Sequence, residues 1–262
     1  MVKSETISIP KKVDLSETVN ENYSNIARQL LDGTKASCCE DPKIVENQNS
    51  CCEDDQGVIE LENRINQKIP SLGSDKDLIG FAKPAEGEMV VDLGSGPGND
   101  AFKFAREIGS TGKIIGIDFS DDMLKLARRN MIKEGITNAE FRKGSIEDIP
   151  VNANTVDLII SNCVINLAEN REKVFNSAYK ILKEGGRIVF SDLVVKDTPS
   201  KELANNIDAV CGCYAGTTKS NYLTMLKKAG FKDIKATDEY EFTKNFGGSD
   251  IEYSSTIFQG VK

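Results

Sequence analysis

The sequence predicts an α/β protein: a doubly wound, mostly parallel sheet with helices on its faces, preceded by an N-terminal helical extension and followed by a C-terminal region that ends in strands. Three observations carry that expectation. From Met89 to Val195, short apolar runs of strand character alternate with stretches of helical periodicity, as parallel sheets with crossover helices require. The first run enters a glycine turn, "VVDLGSGPGND", that opens directly into a helix. At 262 residues the chain can bury a core without crosslinks, so its seven cysteines are not needed as staples.

Taken in order, residues 1–70 are polar, and their clearest helical pattern is "VNENYSNIARQLLDG", where Tyr23, Ile26, Ala27, Leu30 and Leu31 recur at helical spacing before Gly33. The pentapeptide SCCED then occurs twice, thirteen positions apart, placing Cys38, Cys39, Cys51 and Cys52 in a polar segment. "GVIELENRINQKIP" reads as a short helix ended by Pro70, and residues 71–87 as a loop and short helix leading into the core.

Within the core, "EMVVDLGSG" is a buried strand and "NDAFKFAREIG" its helix. "KIIGID" is the second strand. Its helix has Ser120 as N-cap, Asp121 and Asp122 in the first turn, apolar Met123, Leu124, Ala127 and Met131, and Gly135 as a stop. "AEFRKGSI" and "TVDLIISN" are the third and fourth strands, "REKVFNSAYKILKEGG" a helix, and "RIVFSDLVV" the fifth strand. Beyond residue 196 come helical "SKELANNIDAVCGC" and "SNYLTMLKKAGF", then strand-like "DIKATDEYEFTKNF" and "YSSTIFQGVK", which suit an antiparallel edge. The expected division is therefore 1–70, 71–196 and 197–262.

Composition excludes several classes of function. A net charge of -8 argues against nonspecific affinity for nucleic acid or an anionic membrane. No segment approaches the ~20 apolar residues of a span, and the N-terminus lacks a signal-peptide core. A soluble, cytoplasmic protein with mostly reduced thiols is expected. The absence of histidine removes histidine triads, HExxH zinc sites and histidine bases.

The glycine turn points to a ligand. Gly94, Gly96 and Gly98 follow a strand and precede a helix, where glycine permits a tight turn and close approach of a ligand to the backbone. A lone triplet would serve as well as a structural turn. Here, however, Asp92 precedes it, Asp118 ends the second strand about twenty residues on, and Ser145, Ile146 and Glu147 follow the third strand. An acid just before the turn suits a cationic ligand, such as the aminopropyl group and sulfonium of S-adenosylmethionine, better than a pyrophosphate.

With its order "DLGSGPG…GIDFS…GSIEDIP", the chain resembles the class I S-adenosylmethionine-dependent methyltransferases, which are Rossmann-like, over roughly residues 70–195. That resemblance implies that Gly94, Ser95, Gly96 and Gly98 wrap the methionine end of the cofactor, Asp118 the ribose, Phe119 and Met123 the adenine face, and Ile146 and Glu147 the adenine edge. "LIISNCVINL" puts Asn162, Cys163 and Asn166 at the end of the fourth strand, with Asn162 counted in the cofactor-binding set. A cysteine there serves either as a small hydrophobe or as a ligand. "AVCGCYAGTT" adds Cys211 and Cys213, a half-site for a soft acceptor, although Cys211 equally suits core packing.

These residues carry a narrower resemblance. "SNCVINL", "CYAG" about fifty residues later, the tyrosine helix, the upstream thiols and "SLGS…AEGEMVVDLGSGPGND" together resemble the arsenite methyltransferase family over most of residues 20–230. The resemblance implies trivalent arsenic as substrate, held by Cys163 and Cys213, with Tyr23 beside the cofactor and Ser24 where glycine is usual. It also implies thioredoxin or glutathione as reductant of the disulfide formed in turnover. Ser74 stands where the family has a further cysteine, and a serine oxygen is a poor ligand for a soft centre.

Two outcomes remain open. Either a thiol of the SCCED segment completes the site, or Cys163 and Cys213 act alone on an already methylated As(III) species. Family position favours Cys38 or Cys39 for a disulfide relay and Cys51 or Cys52 as substitute ligand. Strain and a reducing compartment argue against a disulfide within either CC pair, and the spacing is not that of a closed zinc site. A solvated surface segment is the plain alternative for both. For the whole chain, the competing functions are methyl transfer to another oxygen, nitrogen or carbon acceptor, and a thiol metal-binding module on a methyltransferase scaffold.

Overall fold

The structure, a computed structural model, describes residues 15–32, 78–197, 216–246 and 249–262. The SCCED segment, the helix expected before Pro70, Ser74, and the stretch with Cys211 and Cys213 lie outside the described residues.

The elements are helix α1 (Leu15–Asp32), α2 (Ile79–Ala82), strand β1 (Met89–Leu93), α3 (Asn99–Glu107), β2 (Lys113–Asp118), α4 (Asp121–Lys133), β3 (Ala139–Lys143), β4 (Val156–Asn162), a 3-10 turn (Ile165–Leu167), α5 (Arg171–Ile181), β5 (Leu182–Val195), β6 (Thr217–Thr218), α6 (Lys219–Ala229), β7 (Lys232–Phe246) and β8 (Ser249–Val261). They form one sheet in the order β3-β2-β1-β4-β5-β8-β7, with β6 paired to β5. Strands β1 to β5 are mutually parallel, whereas β8 runs antiparallel to both β5 and β7. The expected antiparallel pair of terminal strands is thus present. It is welded to the core, because β8 pairs with β5 from Arg187↔Val261 to Val195↔Tyr253.

Alternation along the strands explains why their apolar runs are nearly continuous: both faces are covered. Val91, Leu93, Ile115, Ile117 and Ile159 face the layer of α5 and α6, and Val90, Ile114, Leu158 and Ile160 the layer of α3 and α4. The fifth strand differs from expectation at its start. Helix α5 ends at Ile181 and the ladder resumes at Leu182, with the register shifting between Val156 and Leu158. Gly185, at φ 78, and Gly186, where a Cβ would lie 2.9 Å from the Lys183 carbonyl, let the chain make that irregularity.

Phe190 is fully buried at the centre of an aromatic group, stacked on Phe258 at 4.9 Å and within 5.5 Å of Phe175 and 5.4 Å of Tyr222. Phe190→Ala should therefore cost about 3–5 kcal/mol of folding stability, read as a lower denaturant midpoint at unchanged slope. A loss of less than about 1 kcal/mol would contradict this packing.

Helix α1 docks on α4. Ile26, Ala27 and Leu30 pack against Met123 and Leu126. Arg28 pairs with Asp122 at 2.7 Å, and Arg129 donates to the carbonyls of Leu30 and Leu31, which lie in the last turn of α1 and lack helical partners. Ser24 approaches Ser120 with 2.9 Å between the hydroxyls, so the serine at this position ties α1 to the N-cap of α4.

Candidate active site

Strand order reverses between β1 and β4, with β2 and β3 on one side and β5 on the other. Ligands of open α/β sheets bind beyond the carboxyl ends of the strands at such a switch point. A cavity of about 100 Å³ lies there, lined by Tyr23, Asp92, Gly94, Ser95, Gly96, Pro97, Asn99, Asp100, Asp118, Phe119, Met123, Asn162, Cys163, Val164 and Leu167.

The glycine turn is held by its own backbone. Gly94 and Ser95 both donate to the Ile117 carbonyl, at 2.8 and 3.0 Å, and the Asn130 side chain donates to the Pro97 carbonyl from α4. Gly94, Gly96 and Gly98 have φ of 69, 48 and 95. A Cβ on Gly94 would fall 2.4 Å from Val164, whereas one on Gly96 would meet nothing within 4 Å. The first glycine is thus required by close packing, and the second faces open space.

Asp118 is fixed from two sides, accepting from the Gly96 N–H and the Ser120 N–H, each at 2.9 Å. A carboxylate has lone pairs left after two such bonds, so Asp118 keeps capacity for a ligand's hydroxyls. Burial raises its pKa, partly offset by these N–H donors. Asp92 is raised well above its usual range, by burial first and then by the neighbouring charges of Asp100 and Asp118. Two buried acids under mutual repulsion create a demand for positive charge. Asp100 adds to it, and Lys103 meets part of it by pairing with Asp100 at 2.9 Å; Asp100 also accepts from Asn162 Nδ2 at 3.0 Å.

Cys163 is the one cysteine among the described residues, is buried, and lines the same cavity. It follows β4 directly, its N–H donates to the Ser191 carbonyl at 2.8 Å, and its φ is 55. A side chain in this left-handed conformation costs about 1–3 kcal/mol and persists only where its surroundings enforce it; Lys83, Asn154 and Asp233 share it away from the cavity.

The cavity thus gathers Tyr23, Asp92, Gly94, Ser95, Gly96, Asp118, Phe119, Met123, Asn162 and Cys163 from the expected set. Three expected residues do not line the cavity, although Gly98 sits between the lining residues Pro97 and Asn99. Gly98 caps α3 and lies against Phe102, Ile146 packs against the core layer beneath α5, and Glu147 accepts from the Asn170 N–H at 2.9 Å, capping the entry to α5. Pro97, Asn99, Asp100, Val164 and Leu167 line the cavity without having been singled out. Asp100 had a readable signal, since it is an acid in the first turn after the glycine loop.

The residues fit S-adenosylmethionine. Ser95, in the turn that lines the cavity, has a buried Oγ without a hydrogen-bond partner, and the buried Asp92 and Asp118 suit a cationic ligand with ribose hydroxyls. Among the described residues no group of three or more acid or cysteine side chains is placed to hold a metal ion, and no helix is long and apolar enough to cross a membrane.

A family model described as a methyltransferase domain matches residues 84–230. An arsenite methyltransferase from Halobacterium salinarum is 36% identical over 240 residues, covering 87% of this chain and 60% of that protein. Another, from Aquipseudomonas alcaligenes, is 29% identical over 212 residues, covering 75% and 61%. Among solved structures, an arsenic (III) S-adenosylmethionine methyltransferase from Chlamydomonas reinhardtii superposes with a TM-score of 0.59 at 27% identity, over 68% of this chain and 65% of that one. The chain spans about 60% of the length of these two curated relatives.

Proposed function

Because the chain belongs to the methyltransferase domain family, with the class I Rossmann-like fold, and resembles arsenite methyltransferases within it, we propose that it transfers the methyl group of S-adenosylmethionine to trivalent arsenic held by cysteine thiolates. The observation that carries this reading is the placement of Cys163: a buried thiol at the end of β4, lining the same cavity as the glycine turn.

The cofactor supplies a methyl group already attached to an excellent sulfonium leaving group. The chain's part is to bind, orient and exclude water. Gly94 to Gly96 bring backbone close to the methionine end, Asp92 offers negative charge to it, and Asp118 accepts from the ribose. Tyr23 closes the cavity from α1. Cys163 exchanges its thiol proton for arsenic, releasing water from an arsenic hydroxide. Arsenic retains its lone pair in that thiolate, so no base is needed, and alignment with the methyl group supplies the catalysis.

In this reading residues 71–196 carry the cofactor, and the flanking regions supply the other thiols. Cys213 is the second ligand. Cys38, Cys39, Cys51 and Cys52 serve either as a further ligand in place of the one missing at Ser74 or as a relay to thioredoxin or glutathione. The physiological role is arsenic detoxification in the cytoplasm.

Titration calorimetry tests the reading. Wild type should bind both S-adenosylhomocysteine and methylarsenite. Cys163→Ser should bind the nucleoside as wild type does but weaken the arsenical by about tenfold or more, since a hard oxygen replaces a soft sulfur. Equal arsenical affinity in wild type and Cys163→Ser would overturn the assignment. Nucleoside binding with no arsenical binding would favour a different methyl acceptor.

A further inference from the structure

Asn166 lies three residues beyond Cys163 in the 3-10 turn, buried, and each of its polar groups is engaged. Its N–H donates to Asp192 Oδ2 at 3.2 Å and its Nδ2 to the Leu193 carbonyl at 2.7 Å. Its Oδ1 accepts from the Tyr222 hydroxyl at 2.8 Å and its carbonyl from Arg171 at 2.6 Å. The partners come from β5, α5 and α6, so one side chain joins the turn after Cys163 to three elements of the scaffold. Gly216 closes the remaining side: a Cβ there would lie 2.9 Å from Asn166 Nδ2 and 2.8 Å from the Leu193 carbonyl.

We propose that Asn166, locked by Asp192 and Tyr222, is the positioning residue that holds Cys163 in its left-handed conformation with the thiol on the cofactor cavity. This deepens the reading of Cys163 as the arsenic ligand and rests on it. Two facts make the cluster more than a folding contact. It sits at the end of the strand that delivers Cys163, where the backbone is strained and the Cys163 N–H is already tied to β5 through Ser191. It also contains a buried carboxylate, a costly group to retain merely for packing.

The proton count supports the arrangement. The Tyr222 hydroxyl lies 2.9 Å from Asp192 Oδ2 as well as 2.8 Å from Asn166 Oδ1, yet carries one proton. That proton is shared between Asp192 Oδ2 and Asn166 Oδ1, so the one hydroxyl bridges both. Burial pushes the Asp192 carboxyl up to about 7, against the opposing pull of Tyr222, Arg171 and the turn N–H groups. Arg171 on α5 is the charged group facing it and Tyr222 on α6 the titratable one, while the residue opposite on β8 is the neutral, buried Thr256.

The test reads Cys163 directly in the full chain. Tyr222→Phe keeps the ring that packs on Phe175, Phe190 and Phe258. It should raise the alkylation rate of Cys163, measured by peptide mapping after iodoacetamide, about fivefold, because the turn opens more often. It should also lower kcat for methyl transfer about tenfold with unchanged affinity for S-adenosylhomocysteine, since a small misplacement of a reacting group is costly. Asp192→Ala should do the same, and Asp192→Asn, whose amide oxygen in the Oδ2 position still accepts from the Asn166 N–H and the Tyr222 hydroxyl, should recover part of the loss. Wild-type alkylation rates in both Tyr222→Phe and Asp192→Ala would overturn the proposal. Altered alkylation in a protein whose wild type methylates no arsenical would leave the positioning role standing and remove the arsenic reading instead.

Discussion

Cys163→Ser should lose methyl transfer to arsenic by at least about 100-fold, a barrier increase of about 2.7 kcal/mol, while remaining folded and binding the nucleoside cofactor normally. The side chains are nearly isosteric, and the position lies at the rim of the cavity rather than inside a main core layer, beside Leu193, Leu167 and Phe242. The added hydroxyl should cost no more than about 1–3 kcal/mol of stability, the penalty of a polar group in apolar surroundings. What changes is softness: sulfur binds trivalent arsenic and oxygen does not hold it comparably. Product quantification by chromatography with arsenic detection, beside a thermal melt, separates loss of chemistry from loss of fold. Retained activity in Cys163→Ser would remove the thiol from the mechanism.

Gly94→Ala should damage both cofactor binding and the thiol's placement. The residue has φ 69, a conformation that an L side chain enters only at a cost of about 1–2 kcal/mol. Its added Cβ would meet Val164 Cγ1 at 2.4 Å and Cγ2 at 2.5 Å, well inside contact distance. Overpacking of this kind adds about 1–3 kcal/mol. Val164 is bonded to Cys163, so relieving the clash pushes the Cys163 thiol as well as the glycine turn. Affinity for S-adenosylhomocysteine should fall about 30-fold, equivalent to about 2 kcal/mol of those costs, and the melting temperature should drop. Gly96→Ala is the informative contrast. With nothing within 4 Å of its added methyl, it should lose cofactor affinity through occupied space while losing less stability. Wild-type affinity in Gly94→Ala would contradict the close approach of the two loops.

The core was legible because its elements bury apolar residues at clear periods. The second strand and its helix, from "KIIGID" through the Ser120 cap, appear at the expected residues, and the cap bond from the Met123 N–H is present at 3.2 Å. The glycine turn was legible for a similar reason, since a positive φ and a close approach leave few alternatives to glycine. The start of β5 was not. A bulge at Gly185 and Gly186 leaves no periodic signature, and the helical face of α5 continues into Leu182.

At the site, residues carried by single elements were readable from their positions at strand ends, as with Asp92, Asp118 and Cys163. Residues whose role depends on distant partners were not. Asp192 reads as a lone acid inside the apolar run "VFSDLVV", and Tyr222 as one apolar position of a helix. Only their convergence on Asn166 gives them a purpose. Glu147 shows the converse. Its position after the third strand suggested an adenine contact, and in the fold one carboxylate oxygen accepts from the Asn170 N–H at the start of α5, a contact with no sign in the sequence.

The most direct test of the central claim incubates the purified full chain with methyl-labelled S-adenosylmethionine, a thiol reductant and, separately, arsenite or methylarsenite, and then separates the arsenic species. The account predicts label in a methylated arsenical from at least methylarsenite, dependent on Cys163. A protein that binds the cofactor yet transfers label to neither arsenical would contradict it.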